Sequence, residues 1–208
     1  MNEIAQPKTY GEANRAARLA AARGDAKTLN EMDSIRERLF SKSHRRLPGS
    51  LKSPLTLGLL TLVGALLIYL GGQMTYSFVQ WTLFFLGCIV LMFFSHPLGH
   101  SVTGAVTRIR FGSVYLAGRI GIEPTLLLSL SSYYRAKRRS RFVMHAGGPV
   151  ATSLAAVFVA LTTNGLGYPF PIRILSDILL AATLLSEAVY SSRKGDIARG
   201  LRALRAGV

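Results

Sequence analysis

The chain has 208 residues, half of them hydrophobic, with a mean hydropathy of +0.32, yet it carries 25 Lys and Arg against 10 Asp and Glu, a net charge of +15. Charge and apolar residues are segregated along the chain, as a bilayer imposes, and the basic residues flank long apolar runs; this pattern favours lipid headgroups and membrane topology over nucleic acid as the reason for the charge. A single cysteine, Cys88, lies inside an apolar run, which excludes an intrachain disulfide framework or a cysteine zinc site.

The first apolar run begins near residue 54, too late for a cleavable signal peptide. Glu3, Glu12, Asp25, Glu31, Asp33 and Glu37 argue against a transit peptide, because such peptides are poor in acids. Glu12 to Ala22 and Leu29 to Phe40 carry apolar residues at helical spacing on either side of Gly24-Asp25. Residues 1–53 are therefore expected to form a helical arm, either a solvated hairpin or an element that lies on a membrane surface or docks a partner.

Four apolar runs follow. Residues 54–72 form the first and 74–95 the second, both uncharged, with Trp81 inside the second. Each is long enough to cross a hydrocarbon core of about 30 Å at about 1.5 Å per helical residue. The third is 142–163. The fourth, 169–190, carries Arg173, Asp177 and Glu187; Arg173 and Asp177 stand four apart and are expected to pair on one helix face. Between the second and third runs, Phe111 to Gly118 and Pro124 to Ser131 are β-favouring and too short to span. With the turn-like Gly118–Gly121 stretch they predict a small hairpin or re-entrant piece. The expected fold is an all-α polytopic membrane protein with about four transmembrane helices, a small β-like insertion, and a membrane core over 74–205.

The N-terminal segment holds 11 Lys and Arg, the stretch from Thr107 to Arg141 holds 8, and the tail after Tyr190 holds 5, while the linkers after the first and third runs hold none. Basic flanks belong in the cytoplasm. Four crossings then put both termini and the central loop on the cytoplasmic side, most simply of a plasma (inner) membrane.

This topology brings particular side chains to one depth. Of the four histidines, His96 and His100 lie at the cytoplasmic end of the second span and His145 at the start of the third. Asp196 follows the fourth span on the same side. His96 and His100 are spaced i, i+4, so on a helix they share a face; there they either chelate one Zn²⁺ or simply meet water and headgroups. By position Asp196 suits a third ligand, with Glu187 the runner-up. Glu187 is an acid within an apolar run, which makes it either a functional group or a polar contact between helices. His145 reads as a packing histidine and His44 as a solvated one.

Ser95-His96-Pro97-Leu98-Gly99-His100 resembles a variant of the HExxH helix of the site-2 protease family, which consists of intramembrane zinc metalloproteases. After it come a glycine-containing β-like loop, then His145-Ala146-Gly147-Gly148-Pro149 opening a span rich in small residues, then Ser192-Arg193-Lys194-Gly195-Asp196 after the last span. These resemble the family's second core helix and its late aspartate motif, and the likeness covers roughly residues 76–205. It implies His96, His100 and Asp196 as zinc ligands and a transmembrane protein as substrate or partner. The chain departs from the family where the catalytic glutamate follows the first histidine, since Pro97 stands there, and Asp196 is followed by Ile197 where the family has glycine. A zinc hydrolase needs a base to take a proton from water and deliver it to the leaving amine. Proline has none, and it also biases His96 away from helical geometry. Either Glu187 or another acid serves as base, or the chain does not hydrolyse peptides. A different class remains open, a membrane scaffold, regulator or transporter-like subunit without metal, in which Arg173, Asp177 and Glu187 form a polar network between helices.

Overall fold

The computed structural model describes residues 7–117 and 123–205. The chain is mostly helical, and three of its helices are long and apolar enough to cross a membrane: α3 (Pro54–Gly72), α4 (Ser77–Thr107) and α6 (Arg138–Gly165). Before them come α1 (Tyr10–Ala22) and α2 (Ala26–Ser43). After α6 come α7 (Phe170–Ser186), a π turn over Glu187–Ser191, and α8 (Asp196–Arg205). A three-stranded antiparallel sheet has the order β1 (Arg45–Arg46), β2 (Phe111–Ala117), β3 (Glu123–Leu128). The short helix α5 (Leu130–Arg135) links the sheet to α6.

The expected β-like insertion is this sheet, with Val114 opposite Leu126 and Leu116 opposite Pro124. The stretch 129–131 differs from the expectation: it leaves the strand and begins α5, because Ser129 accepts from Ser132 N–H as a helix N-cap. The Gly118–Gly121 turn lies outside the described residues. The third strand comes from the arm, since Arg45 and Arg46 pair with Leu116 and Tyr115.

The arm is docked on its own chain. Thr9 and Glu12 form a reciprocal capping box that starts α1. Asp25 caps α2, and hydrogen bonds from Thr28 hold its carboxyl below the usual range. Ala17 and Ala20 of α1 and Leu29 and Met32 of α2 bury together with Leu130 of α5. The Asp33 carboxylate accepts from Leu130 N (2.6 Å), Ser131 N (3.1 Å) and Ser129 Oγ (2.8 Å), which caps α5 from across the sequence. Arg36, buried, donates to the Leu128 carbonyl and the Tyr10 hydroxyl. Asp33→Ala removes three bonds to a charged acceptor and should cost about 3 kcal/mol of docking. Limited proteolysis should then cut within 1–53 while the α3–α6 core stays intact; an unchanged digestion pattern would contradict the docking role of Asp33.

The bundle core joins Ile68 of α3, Phe84 and Leu91 of α4, Ala155 and Val159 of α6, and Ile172 of α7, with Tyr168 donating to the Ile68 carbonyl. Outward faces carry exposed Leu62, Ile89 and Leu154, a broad apolar surface of the kind that soluble monomers avoid. The second expected run ends at residue 95, but α4 continues to Thr107 straight through Pro97. Membrane helices tolerate a proline where neighbouring groups satisfy the freed backbone. The third run is likewise extended, to Arg138 at one end and Gly165 at the other. Where the fourth was expected, α7 has 17 residues and passes directly into the π turn that ends at Ser191. The expected Arg173–Asp177 pair does not form. Arg173 lies over the Phe170 ring at 5.9 Å, and Asp177 accepts from Asn164 of α6 at 3.1 Å, beside a Thr163–Ser176 hydrogen bond of 2.6 Å.

Candidate metal centre

α4 and α6 cross at two glycines. A Cβ on Gly147 would meet the Gly99 carbonyl oxygen at 2.5 Å, and one on Gly99 would meet Ala151 Cβ at 2.7 Å. Backbones approach this closely only where side chains are absent. The crossing sets the His96–His100 face of α4 against the face of α6 that carries Met144, Gly148 and Thr152. α8 then packs Gly200 on Phe142 and His145, with contacts a Cβ would make at 3.0 and 3.3 Å. That contact carries Asp196, in the first turn of α8, to the same point. The π turn before it helps to aim the chain, since Lys194 N–H and Gly195 N–H both bond to the Tyr190 carbonyl. Such turns recur at functional sites.

His96 Nε2 and His100 Nε2 are 3.2 Å apart, and each lies 3.2 Å from Asp196 Oδ2. The outer ring atoms fix which nitrogen is the acceptor. His100 Nδ1 is 2.9 Å from the Met144 carbonyl, which can only accept, so Nδ1 carries the hydrogen. His96 Nδ1 is 3.0 Å from Thr152 Oγ1, whose own proton goes to the Gly148 carbonyl at 3.0 Å. That Nδ1 therefore donates too. In both neutral rings the lone pair is left on Nε2, aimed inward. A proton on one Nε2 can be donated to Asp196 Oδ2; with both rings neutral three lone pairs converge, an arrangement that could hold a cation.

Asp196 is divided between two tasks. Its Oδ2 faces the imidazoles, while its Oδ1 accepts from Arg199 Nη1 at 3.1 Å and stands 3.6 Å from His145 Nδ1. Burial pushes the Asp196 carboxyl up, but His100, His145 and His96, when they carry protons toward it, outweigh that and hold the group well below the usual carboxylate range. His145 Nε2 in turn meets the Tyr133 hydroxyl at 3.1 Å. Burial pushes the Tyr133 hydroxyl up, so it stays neutral. His96 is the open side of the cluster, with 38% of its side chain exposed against 14% for His100 and 17% for Asp196.

His96, His100 and Asp196 thus come together as expected and are close enough to bind a metal ion. The donor set fits zinc: tetrahedral Zn²⁺ with bonds of about 2.0–2.1 Å has ligand–ligand edges of about 3.3 Å, and the three edges here are each 3.2 Å. Gly148 keeps the approach clear, because a Cβ there would lie 2.5 Å from His100 Nε2 and 2.7 Å from His96 Nε2. Glu187, the runner-up ligand and candidate base, makes no hydrogen bond or ion pair with the cluster among the described residues. His145 does more than pack, since it touches both Asp196 and Tyr133. Thr152 and Arg199 were not singled out in the sequence. A trace of their roles exists there, because His145, Gly148 and Thr152 follow an i, i+3, i+7 spacing, and Arg199 stands one turn after Asp196.

Fold and site define a helical protein with, among the described residues, three helices long and apolar enough to cross a membrane, and with a His–His–Asp cluster that could hold a metal ion at the end of the bundle where the sheet and α8 lie. No protein-family model, curated protein or solved structure matches the chain.

Proposed function

We propose that the chain is an integral membrane zinc protein built on the site-2 protease plan, which binds a transmembrane partner without cleaving it. The observation that carries this reading is the triangle of two imidazole Nε2 atoms and one carboxylate oxygen, each oriented from behind by a hydrogen bond. Metal-ligating histidines characteristically donate their other N–H to a carbonyl or polar side chain. His96 and His100 do so toward Thr152 and Met144. A fortuitous cluster of interfacial histidines has no reason to present both lone pairs to one carboxylate oxygen with a glycine opposite.

In this reading His96, His100 and Asp196 hold Zn²⁺, and Arg199 and His145 keep the Asp196 carboxylate turned toward it. A zinc ion held by these residues would supply Lewis acidity. Hydrolysis also needs a proton acceptor next to the reacting water. Pro97 has none, and Glu187 is not joined to the cluster. A labelled transmembrane peptide reconstituted with the protein should therefore stay intact, and chelator-sensitive cleavage would refute the non-hydrolytic reading.

The topology in this reading has four crossings, the fourth made by α7 together with its π turn. The chain leaves Tyr168, which bonds to Ile68, and by Asp196 it is back at His145. It has then run the length of α6 between Gly165 and His145. With the basic segments gathered at the Asp196 end, that end faces the cytoplasm. An apolar groove of about 430 Å³ beside Ser95, bounded by Gly58, Thr61, Ala65 and Ala151, suits a partner helix. Small residues let helix backbones approach within a bilayer. Metal analysis of purified protein tests the central claim. Zinc absent from wild type would favour a scaffold without metal, for which Asn164–Asp177 is the polar link between helices.

A further inference from the structure

A second concavity lies where the apolar helices meet the basic end. It has a volume of about 640 Å³ and opens between the start of α3, the end of α4 and the start of β2. Lys52, Arg108 and Arg110 line it, all exposed, and no carboxylate does. Among the described residues no hydrogen bond or ion pair engages the side chain of any of the three. Three like charges around one hollow repel one another unless an anion sits among them.

The backbone adds an independent sign. Arg108 ends α4 in the left-handed region, with φ 60° and ψ 24°, and it is the one non-glycine residue with positive φ among the described residues. Glycine takes that conformation without steric penalty and is the usual residue at such a helix end. An arginine held there marks a place where the side chain matters more than backbone comfort. On the opposite wall, Ser53 and Pro54 begin α3, and Ser53 makes no side-chain capping bond. The positive end of the α3 dipole therefore borders the same hollow.

The surface beside the hollow is apolar. Leu55 is 72% exposed and Val106 is 77% exposed, three residues from Lys52 and two from Arg108. An occupant must be anionic at its head and apolar alongside. A free phosphate meets only the first condition. We infer that this cavity binds the phosphate headgroup of an anionic phospholipid, with the acyl chains lying along Leu55 and Val106. The inference rests on the membrane-spanning reading and is independent of the metal, since none of its residues is a candidate zinc ligand.

The test uses the full chain, delipidated in detergent and offered equal amounts of phosphatidylglycerol and phosphatidylcholine, with retained lipid read by native mass spectrometry. Wild type should retain phosphatidylglycerol preferentially. Lys52→Gln, Arg108→Gly and Arg110→Gln should each weaken that preference about fivefold, the worth of one cation near an anionic surface, and the triple variant should hold the two lipids equally. Arg108→Gly relieves the backbone, so its melting temperature should hold or rise while lipid preference falls, which separates the charge from the fold. Equal retention of both lipids by wild type, or an unchanged preference in the triple variant, would overturn the inference. So would displacement of the lipid by soluble glycerol phosphate at comparable concentration. Carbonate extraction of membranes checks the underlying reading separately: a chain released by carbonate sinks the membrane assignment, whereas one that is retained yet indifferent to headgroup charge sinks only the lipid site.

Discussion

About one zinc ion per chain is expected in protein purified without chelator, and none in the His96→Ala, His100→Ala double variant. The size of the effect follows from what the substitutions remove. Two of the three atoms in the 3.2 Å triangle vanish, leaving one carboxylate already engaged by Arg199. Loss of a hydrogen-bonding group behind a ligand costs about 10–100-fold in metal affinity, and loss of the ligands themselves must exceed that. Thr152→Ala provides the graded case. It leaves both imidazoles in place but frees His96 Nδ1 from its acceptor, and zinc affinity should fall within that 10–100-fold range. Elemental analysis of wild type and variants, with circular dichroism to verify folding, reads all three proteins. Wild type with far less than stoichiometric zinc, or a double variant that retains as much as wild type, would show that the triangle is not a metal site.

The Gly148→Ala variant is expected to lose zinc as completely while keeping its helix. Its Cβ would stand 2.5 Å and 2.7 Å from the two Nε2 atoms, on a helix too tightly crossed with α4 to retreat. The methyl group occupies the space in front of the ligand atoms without changing any of them. Intrinsic helix propensity runs the other way, since alanine exceeds glycine by about 0.8–1.0 kcal/mol within a helix. Local helicity should therefore not suffer, and the lost metal cannot be attributed to a melted α6. Gly165→Ala is the matched control, because a Cβ there meets nothing within 4 Å; it should bind zinc like wild type. If Gly148→Ala retains stoichiometric zinc, the ion sits elsewhere.

The candidate site was half legible in the sequence. The i, i+4 spacing of His96 and His100 put both rings on one face of a helix, and Pro97 did not break that face. Charge counts led to the expectation that Asp196 lies at the depth of the histidines, and the structure brings its Oδ2 within 3.2 Å of both rings. Partners lying across helices were not legible. Whether His145 packs or orients a carboxylate depends on how α8 sits on α6, and that depends on Gly200 against Phe142. Glu187 attracted notice as an acid among apolar residues, yet the π turn and α8 bring Asp196, not Glu187, into contact with the histidines. The Arg173–Asp177 spacing was correct for an ion pair, but Asn164 on α6 offered Asp177 a nearer partner.

Sequence by itself determined the apolar helices, the polar arm, the small β insertion and the histidine pair, because each is a local pattern with the period of its own element. Helix ends at Thr107 and Arg138 escaped it, since a helix continues by backbone bonding after its side chains turn polar. Only the tertiary structure decided that Arg45 and Arg46 add a strand to β2, that Asp33 caps α5 from 97 residues away, and that Met144 and Thr152 set the tautomers of the two imidazoles. These contacts depend on crossing geometry, which bare glycine surfaces at Gly99 and Gly147 permit and no single segment encodes.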